Sequence, residues 1–308
     1  MPSLHTLTGN LLWEQTLCFD SWEPGRTQRA RSASFQAGGK GVNVSRMLAR
    51  LGTPAAALCL PGGATGAECE SWIRARGIDC RAFRAAAPTR TGLVVRAPGR
   101  AETTFLGPDS PVDAAAAAAC AAHLDACPAG DVLAVCGSIP GWAAPACEPL
   151  RTAFARWIGR GPLVADTYGP PLAWLAGQPL AWIKVNRAEF EGLWPEGERA
   201  EPIAARLAAA LRRWPARAWI VTDGPRPVWL AAEGRPPGAF APPPIAEVSA
   251  TGSGDVLQAC LIHAVFCNGL SLAEALPRAL PYAAANAASA GIADFPLRGL
   301  PDLGSGPL

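Results

Sequence analysis

Short apolar runs alternate with helical patterns through the middle and end of the chain. Four of these runs are too short and too continuously apolar for amphipathic helices, which favours strands of a sheet covered on both faces. The four runs are Asp131–Cys136, Pro162–Ala165, Ala181–Val185 and Ala218–Thr222. Because helical segments lie between them, the order predicts right-handed crossovers and a mostly parallel sheet.

Two of the helical segments can be located by their ends. One has Ser110 at the N-cap, Pro111 at the first helical position and Asp113 at the third, ahead of a run of alanines. Small polar residues cap helices and proline is tolerated in the first turn, so this order predicts a helix capped by Ser110. The segment Ala200–Trp214 is rich in Ala, Leu and Arg, which predicts a second helix.

Two segments have a different periodicity from the rest. Leu17–Gln36 and Thr89–Leu106 alternate apolar and polar residues, and the second has turn residues at Pro98–Gly99. Alternation around such a turn is typical of a β-hairpin. We expect β structure set apart from the parallel sheet, as a small lid formed by residues of about 11–36 and 88–108.

Composition narrows the class of protein. Half of the 308 residues are hydrophobic, and this length suits one α/β domain spanning 1–308. No run of eighteen apolar residues and no basic leader are present, so we expect neither a membrane helix nor a signal peptide. The net charge of +2 argues against nucleic acid or an acidic membrane as a partner. The proline-rich stretch 236–248 predicts an extended connection.

Ten cysteines are spread along the chain without a CxxC pair and without histidine at ligand spacing. In a long apolar chain this favours buried thiols in a reducing cytoplasm over disulfides or a metal site. The three histidines, His5, His123 and His263, are expected to be packed or solvated rather than catalytic.

Lysine is nearly absent from the chain. Of 27 basic residues only Lys40 and Lys184 are lysines, and the rest are arginines. A lysine retained in that background suggests a need for its compact ammonium group, which arginine cannot mimic. Chance is the alternative, but both lysines lie in motif-like stretches, QAGGKGVN and WIKVNRAEF.

The stretch TGSGD at 251–255 places a carboxylate directly after a glycine turn and before an apolar run. Gly252 and Gly254 allow successive backbone N–H groups to point into one concavity, and a helix starting here would add its positive end. Asp255 is then either a helix cap or a general base beside a bound phosphate. Neither a P-loop nor a dinucleotide-binding glycine motif is present.

Two further stretches carry polar groups suited to a ligand. In AGGKGVN, glycines allow close approach, Lys40 offers charge and Asn43 offers a donor and an acceptor, as sugar hydroxyls require. A helix start with a solvated lysine is the alternative. In KVNRAEF, Asn186 and Glu189 suit a hydrated magnesium ion, or else form only a capping box.

The order and spacing of these motifs resemble the ribokinase-like sugar kinases, the PfkB family, over nearly the whole chain. GGKGVN, NRAE and TGSGD correspond to that family's GGKGxN, NxxE and GAGD motifs. With TR at 89–90 and GSIP at 137–140, the chain looks most like the branch that phosphorylates sugar phosphates. The resemblance implies a three-layer αβα sandwich with a mostly parallel sheet and a β lid, using ATP and Mg²⁺.

The resemblance also implies a role for each matching residue. Asp255 would be the catalytic base, with the anion hole for the transferring phosphoryl group formed by Gly252, Ser253 and Gly254. The sugar phosphate would meet Glu14, Gly39, Lys40, Asn43, Arg90 and Ser138. The nucleotide would meet Lys184, Asn186, Thr222, Gly224, Gly252, Gly254 and Asn286. Magnesium would be organised, through water, by Asn186, Glu189 and Asp166. The partner would be a small sugar phosphate, and the lid could pair two copies.

Departures from the family pattern lie on the sugar side. Glu14 stands where the family has Asp, Gly92 replaces an Asn, Trp142 follows a GSIPG that lacks one proline, and Tyr168 replaces a Ser. Longer or missing side chains there alter which hydroxyls are reached. The resemblance implies a kinase of a hexose phosphate of the fructose 1-phosphate, fructose 6-phosphate or tagatose 6-phosphate type, or of a close relative, and these departures allow an acceptor other than the commonest ones.

Two other functions stay open at this point. A kinase of an unphosphorylated sugar or nucleoside would leave the Arg90 charge unpaired. A catalytically silent sugar-phosphate sensor would need neither the base Asp255 nor the pair Asn186 and Glu189.

Overall fold

The structure, a computed structural model, describes residues 2–304. The ends of the expected domain, residue 1 and residues 305–308, lie outside the described part. The strands are β1 (Leu4–Thr8), β2 (Leu12–Cys18), β3 (Ser32–Gly38), β4 (Ala56–Cys59), β5 (Cys80–Ala82), β6 (Arg90–Arg96), β7 (Thr103–Leu106), β8 (Val132–Cys136), β9 (Leu163–Asp166), β10 (Trp182–Asn186), β11 (Ala218–Asp223), β12 (Arg226–Ala232) and β13 (Gly238–Phe240). The α-helices are α1 (Lys40–Arg50), α2 (Gly63–Arg74), α3 (Ala114–Ala126), α4 (Glu148–Ile158), α5 (Pro170–Ala176), α6 (Arg187–Gly192), α7 (Ile203–Arg213), α8 (Ser253–Ile262) and α9 (Leu272–Ala287).

The main sheet has nine strands in the order β13-β12-β11-β10-β9-β8-β1-β4-β5. From β11 to β5 every neighbouring pair is parallel, whereas β12 pairs antiparallel with both β11 and β13. The four apolar runs predicted as central strands are β8 to β11, which are neighbours in this sheet. The predicted parallel arrangement is therefore confirmed.

Helices cover both faces of this sheet. Along β8, Leu133 and Val135 pack into the layer that contains α3, α4 and α7, whereas Val132 and Ala134 pack into the layer of α1, α8 and α9. Successive side chains of a strand point to opposite faces, so both faces must be apolar when both are covered. The three-layer αβα arrangement predicted from the sequence is confirmed.

A second, four-stranded sheet has the order β3-β2-β6-β7. Strands β6 and β7 pair antiparallel around the turn at Pro98–Gly99, as predicted. Strand β2 enters this sheet directly from the carboxyl end of β1, after the loop Gly9–Leu11. The lid is therefore attached to the carboxyl edge of the main sheet.

Two local predictions were wrong. Ser110 is not a helix cap: its hydroxyl donates to the Pro88 carbonyl, and α3 is capped three residues later by Asp113, which accepts from the Ala116 N–H at 2.7 Å. The stretch 236–248 is not a plain connection, since Gly238–Phe240 pairs with β12 and closes one edge of the main sheet. The helix predicted over Ala200–Trp214 is present as α7, which begins after Pro202.

No helix among residues 2–304 is both long and apolar enough to cross a membrane. All ten cysteines carry free thiols, and eight of them are buried.

Candidate active site

The residues singled out by the sequence meet at the carboxyl edge of the main sheet. Asp166 is the last residue of β9 and Asn186 the last of β10, in register with Thr222 of β11. Ser138 follows β8 by two residues. Ligands of open parallel sheets bind at this edge, because the loops that leave it converge there.

Both lysines of the chain contact the same carboxylate. Lys40 donates to Asp166 Oδ1 at 2.7 Å, and Lys184 donates to Oδ2 at 2.6 Å. Lys184 and Asp166 are almost fully buried, with side-chain exposures of 3% and 1%, whereas Lys40 is 30% exposed. A guanidinium is larger and planar, so arginine at either position would not reproduce these two compact contacts.

Burial disfavours the charged forms of Asp166 and Lys40, but the attraction of the opposite charges around them has the larger effect. Although burial alone would raise the pKa of Asp166, the Lys184 and Lys40 charges lower it to about 2. Burial likewise opposes the charge on Lys40, but Asp166, Asp255 and Glu189 together raise its pKa above the usual value. The site therefore holds two fixed ammonium groups, of which Lys40 reaches solvent.

Asp255 lies in the first turn of α8 and is 5% exposed. The residue at the N-cap is Gly252, and no side chain caps this helix, so the capping alternative for Asp255 does not hold. Its Oδ2 accepts a hydrogen bond from Asn43 Nδ2 at 2.7 Å. Burial, and then the charge of Asp166, raise the pKa of Asp255 to about 6, against the opposing effect of Lys40. A carboxyl group with this pKa is ionised at neutral pH and suited to accept a proton.

The glycine turn before Asp255 requires its glycines. Gly252 has φ of +78°, and a Cβ there would lie 2.4 Å from Ile292 Cγ2. A Cβ on Gly254 would lie 3.1 Å from Lys184 Nζ. Within residues 2–304, the backbone N–H groups of Gly254 and Asp255 have no backbone acceptor. These two N–H groups and the Lys184 ammonium can bind an anionic oxygen at the start of α8.

A similar close approach occurs at the start of α1. Gly39 is its N-cap, with φ of +125°, and a Cβ there would lie 2.5 Å from Thr8 Cγ2. The close contact with β1 brings Lys40 and Asn43, in the first turn of α1, over the carboxyl edge of the sheet.

A cavity of about 630 Å³ opens beside the glycine turn. Its walls come from the end of β11, the proline-rich segment, and the facing sides of α8 and α9, and they include Thr222, Gly224, Pro243, Ile245, Ser253, Gly254 and Leu257. This volume and mostly apolar lining are typical of a site for a cofactor-sized ligand. Thr222 and Gly224 lie where the sequence places the nucleotide.

Asn286 has a different position from the one predicted. It is 1% exposed and does not line the cavity. Its amide donates to the Thr251 carbonyl at 3.0 Å and to Ser253 Oγ at 3.1 Å, while its oxygen accepts from the Ala293 N–H at 2.7 Å. Asn286 therefore holds the glycine turn in place from behind, instead of contacting an adenine ring.

On the other side of Asp255, a chain of polar groups leads to Arg90. Arg90 donates to Asp109 Oδ1 at 2.8 Å, and Asn10 donates to the same oxygen at 2.9 Å. Asn10 and Tyr168 both donate to the Ser138 hydroxyl, at 2.9 and 3.1 Å. The structure thus brings Arg90 and Ser138 together.

Asn10 and Asp109 were missed by the sequence reasoning. Asn10 follows β1, a strand that the apolar pattern does not reveal, because two of its five residues are threonines. Asp109 lies in the loop after the lid, where no motif marks it. The position of Asn10 was informative, because Asn10 lies in the short loop between β1 and the lid strand β2.

Glu14 lies on lid strand β2 and is 7% exposed. Its Oε1 accepts from the Gln36 amide, and its Oε2 lies 3.3 Å from the position a Cβ would take on Gly38. Burial is the main cause that raises its pKa. Glu14 is paired across the sheet with Gly92, so the two departures from the family pattern lie side by side.

The lid also contacts the glycine turn directly. Glu102, in the turn before β7, accepts from the Thr251 hydroxyl at 2.7 Å and pairs with Arg96 at 2.6 Å. Arg96 in turn donates to the Ala290 carbonyl at 2.7 Å. The lid is thereby connected to Thr251, where the turn begins, and to Ala290, which follows α9. No motif in the sequence indicates this contact.

This contact predicts energetic coupling between Glu102 and Thr251. In a double-mutant cycle of Glu102→Ala and Thr251→Val, scored by kcat/KM for ATP, we expect a coupling of about 1 kcal/mol, since the two groups share one charge-assisted hydrogen bond. Arg156→Ala combined with Thr251→Val is the matched control and should be additive. If the effects of Glu102→Ala and Thr251→Val are also additive, the hydrogen bond between these two residues does not contribute to kcat/KM.

The residues available for magnesium fit a hydrated ion. Asn186 and Glu189 form the capping box that the sequence offered as an alternative to a magnesium site. The Glu189 N–H donates to Asn186 Oδ1 at 2.9 Å, and the Asn186 N–H donates to Glu189 Oε2 at 2.8 Å. Glu189 Oε1 is outside this box and lies 3.8 Å from Lys40 Nζ. Both oxygens of Asp166 are held by lysines. The oxygen-only donor set suits Mg²⁺ held through water and substrate phosphates rather than by a protein cage.

Comparisons with known proteins agree with this geometry. The profile of the family described as pfkB family carbohydrate kinase matches residues 12–297. The 1-phosphofructokinase of Xanthomonas campestris pv. campestris is 31% identical over 283 residues, covering 87% of this chain and 86% of that protein.

Solved structures agree on the fold. Phosphofructokinase-2 from Escherichia coli in complex with potassium has a TM-score of 0.85 at 21% identity, covering 95% of this chain and 94% of that one. Ribokinase from Thermotoga maritima has a TM-score of 0.75 at 16% identity, covering 96% of both chains. The fold is the ribokinase-like fold that the sequence predicts.

Proposed function

The chain belongs to the pfkB family of carbohydrate kinases, enzymes that transfer phosphate to a hydroxyl, and from this premise we propose that it phosphorylates a ketohexose monophosphate with ATP. The observation that carries the proposal is the position of Asp255. This buried carboxylate, with its pKa raised to about 6, lies in the first turn of α8, next to N–H groups that have no backbone acceptor within residues 2–304.

We propose that Asp255 takes the proton of the acceptor hydroxyl. The oxygen then forms a bond to the γ-phosphorus as the bond to the bridging oxygen of ADP breaks. The N–H groups of Gly254 and Asp255, with the Lys184 ammonium, stabilise the negative charge on the transferring group. Such positioning and charge neutralisation supply most of the catalysis in phosphoryl transfer.

The other residues of the site indicate where the nucleoside, the phosphates and the magnesium ion would bind. The 630 Å³ cavity lined by Thr222 and Gly224 would hold the nucleoside of ATP. Lys40, whose ammonium is partly exposed, would contact the reacting phosphates or the sugar. Asn186 and Glu189 would hold a hydrated Mg²⁺, which when bound offsets charge on the phosphates of ATP.

Arg90 is the reason for proposing a phosphorylated acceptor. Its side chain is 11% exposed and its Nε is buried without a partner within the described residues. The Asp109 carboxylate that it contacts is 51% exposed. A sugar phosphate could take the place of that carboxylate and accept two parallel hydrogen bonds from the guanidinium. The 31% identical relative is a 1-phosphofructokinase, so fructose 1-phosphate is the first acceptor to test.

The experiment that tests the function is an ADP-release assay with MgATP across a panel of acceptors. The panel contains fructose 1-phosphate, fructose 6-phosphate, tagatose 6-phosphate, free hexoses, ribose and nucleosides. We expect turnover on one ketohexose phosphate, and turnover lower by a factor of at least about 100 with the Asp255→Asn variant. Turnover on ribose or a nucleoside alone would overturn the phosphorylated acceptor. Sugar-phosphate binding without turnover would favour a sensor instead.

Arg90→Ala should raise the acceptor KM by roughly 100-fold or more and leave the KM of ATP within about twofold, because a bidentate charged contact contributes to one substrate only. Steady-state kinetics with each substrate varied in turn measure this. Arg156→Ala is the matched control, since Arg156 also pairs with an aspartate, Asp125, but on the surface of α4. Equal increases in both KM values would assign Arg90 a structural role.

We also propose a setting for the enzyme. Residues 1–308 would form one kinase domain, with lid segments 11–36 and 88–108. Phe105 and Leu106 on β7 are 53% and 55% exposed, which suits pairing of two copies through the lid. The ten free thiols fit a reducing cytoplasm.

A further inference from the structure

The cluster formed by His5, His123 and Cys127 lies outside the site described above. Within residues 2–304, one ligand atom from each of these residues lies within 4.8 Å of the others. His5 is on β1, His123 is on α3, and Cys127 is the residue at the end of α3. Two of the three histidines of the whole chain are therefore placed next to one thiol.

Each of the two imidazoles has one buried nitrogen without a hydrogen-bond partner among residues 2–304. His5 Nε2 pairs with Asp131 Oδ2 at 3.1 Å, which leaves His5 Nδ1 buried and unpaired. His123 Nε2 is also buried and unpaired. Two buried ring nitrogens without partners in one place are unusual, because buried polar atoms are nearly always satisfied. They provide two lone pairs suited to a cation.

The contact with Asp131 is the arrangement found behind metal-binding histidines. A carboxylate that accepts the N–H of one ring nitrogen fixes the tautomer and leaves the other nitrogen free to bind a metal. Asp131 is buried, as is His5. This buried pair fixes Nε2 of His5 as the nitrogen bonded to Asp131, which leaves Nδ1 as the nitrogen able to bind a metal.

We propose that His5 Nδ1, His123 Nε2 and Cys127 Sγ bind one Zn²⁺ or a cation of the same borderline softness. Two imidazoles and one thiolate are ligands that Zn²⁺ prefers over Mg²⁺, which takes oxygen ligands. The fourth position of the tetrahedron would be filled by water. Because the thiol must lose its proton to bind, uptake of the metal releases one proton.

The geometry requires only a small adjustment. Ligand atoms at 2.0–2.3 Å from a tetrahedral zinc lie roughly 3.3–3.7 Å apart, so the present separation of up to 4.8 Å must close by about 1 Å. Rotations of the His123 and Cys127 side chains at the end of α3 can supply this. Surrounding charges are mixed, with Asp131 and Asp79 opposite Arg81 and Arg160.

This site is at the amino edge of the parallel strands, away from the catalytic edge. His5 is the second residue of β1, and Asp131 immediately precedes β8. A bound ion would join β1 to the end of α3 and to the loop that leads into β8. We infer a structural role: saturation with zinc should raise the thermal midpoint by roughly 5 °C or more at a hundredfold excess over Kd.

The test uses metal-free, full-length protein titrated with Co²⁺, followed by competition with Zn²⁺. Cobalt bound to a thiolate has a charge-transfer absorption that an oxygen-only magnesium site cannot give. We expect one equivalent with this absorption, and affinity lower by a factor of at least about 100 in Cys127→Ser and in His123→Gln. Asp131→Asn should weaken binding roughly 10- to 100-fold while the absorption persists at saturation.

The chain offers matched controls for both substitutions. Cys18→Ser removes a half-buried thiol of the lid, and His263→Gln removes the third histidine, whose ring contacts Thr53 and Asn268. Both should bind cobalt as the unaltered protein does. Full absorption in Cys127→Ser or in His123→Gln, or no saturable first equivalent in the unaltered protein, would overturn the proposal. Unchanged kinase turnover in each variant shows that it is folded.

Discussion

Asp255→Asn should lower kcat by roughly 100- to 10,000-fold and leave the Kd of ATP nearly unchanged. Asparagine has the same shape and can still accept the hydrogen bond that Asn43 donates. It cannot take a proton from the acceptor hydroxyl, so the loss falls on the chemical step. Single-turnover kinetics and calorimetry of ATP binding separate the two effects.

The pH dependence of the unaltered enzyme gives a second readout. Because burial and the Asp166 charge raise the pKa of Asp255 to about 6, kcat/KM should fall as the pH drops below about 6 and be level above it. In Asp255→Asn the residual rate should lack this acid limb. An unchanged limb in the variant would assign the titration to another group.

As the pH rises towards the raised pKa of Asp255, the protein should become less stable while its activity increases. The folded protein holds the Asp255 proton up to a pH of about 6, whereas the unfolded chain releases it near pH 4, so the folded state is disfavoured as the pH rises through that window. Above pH 6, Asp255→Asn should therefore be at least as stable as the unaltered protein. Asp79→Asn, on an exposed carboxylate, is the control and should change neither kcat nor stability. A large loss of stability in Asp255→Asn would assign the carboxylate a structural role.

The sequence predicts those strands whose buried residues are almost all apolar. Strands β8 to β11 have continuous apolar runs, and these gave the parallel sheet. Strand β1, with the sequence LHTLT, is equally buried but was not found. One of its polar side chains, Thr6, bonds to partners distant in sequence, the Gly41 carbonyl and the Ser45 hydroxyl. A hydrophobic pattern contains no information about such partners.

The same limit applies to the site. Glycine turns and a capping box are local, so the surroundings of Asp255 and Asn186 could be placed from motifs. Asn286 was assigned to the nucleotide because its position along the chain matched, but the direction of its amide depends on how α9 packs. Asp109 had no motif at all. Contacts between loops are decided by tertiary packing, which one sequence does not reveal.

The two lysines show where composition was informative. Their rarity suggested that each is needed as a compact cation, and the structure brings both to one carboxylate. No motif predicted that they share Asp166, which the family resemblance had assigned to magnesium. The Asp166 carboxylate accepts hydrogen bonds from both ammonium groups and fixes their positions, and its role toward magnesium stays a prediction.

Asp166→Asn should lower the free energy of unfolding by about 3–5 kcal/mol, because it removes the one charge that both ammonium groups contact at hydrogen-bond distance, and one of these groups is only 3% exposed. The asparagine oxygen can accept from one lysine, but its NH₂ group then faces the other donor. Thermal unfolding at pH 7.5 should show a midpoint lower by roughly 5–15 °C.

The control and the pH dependence make this prediction specific to the buried pair. Asp125→Asn also breaks an aspartate–arginine pair, but its partners are 38% and 52% exposed, so the expected loss is at most about 1 kcal/mol. Because the lysines lower the pKa of Asp166 to about 2, its stabilisation is present above a pH of about 4 and is lost as the pH falls through 2. The difference between Asp166→Asn and the unaltered protein should therefore be nearly constant above about pH 7, where Asp255 is ionised in both proteins, and shrink below about 4. Equal losses in the Asp166 and Asp125 variants would mean that the two lysines do not depend on this carboxylate.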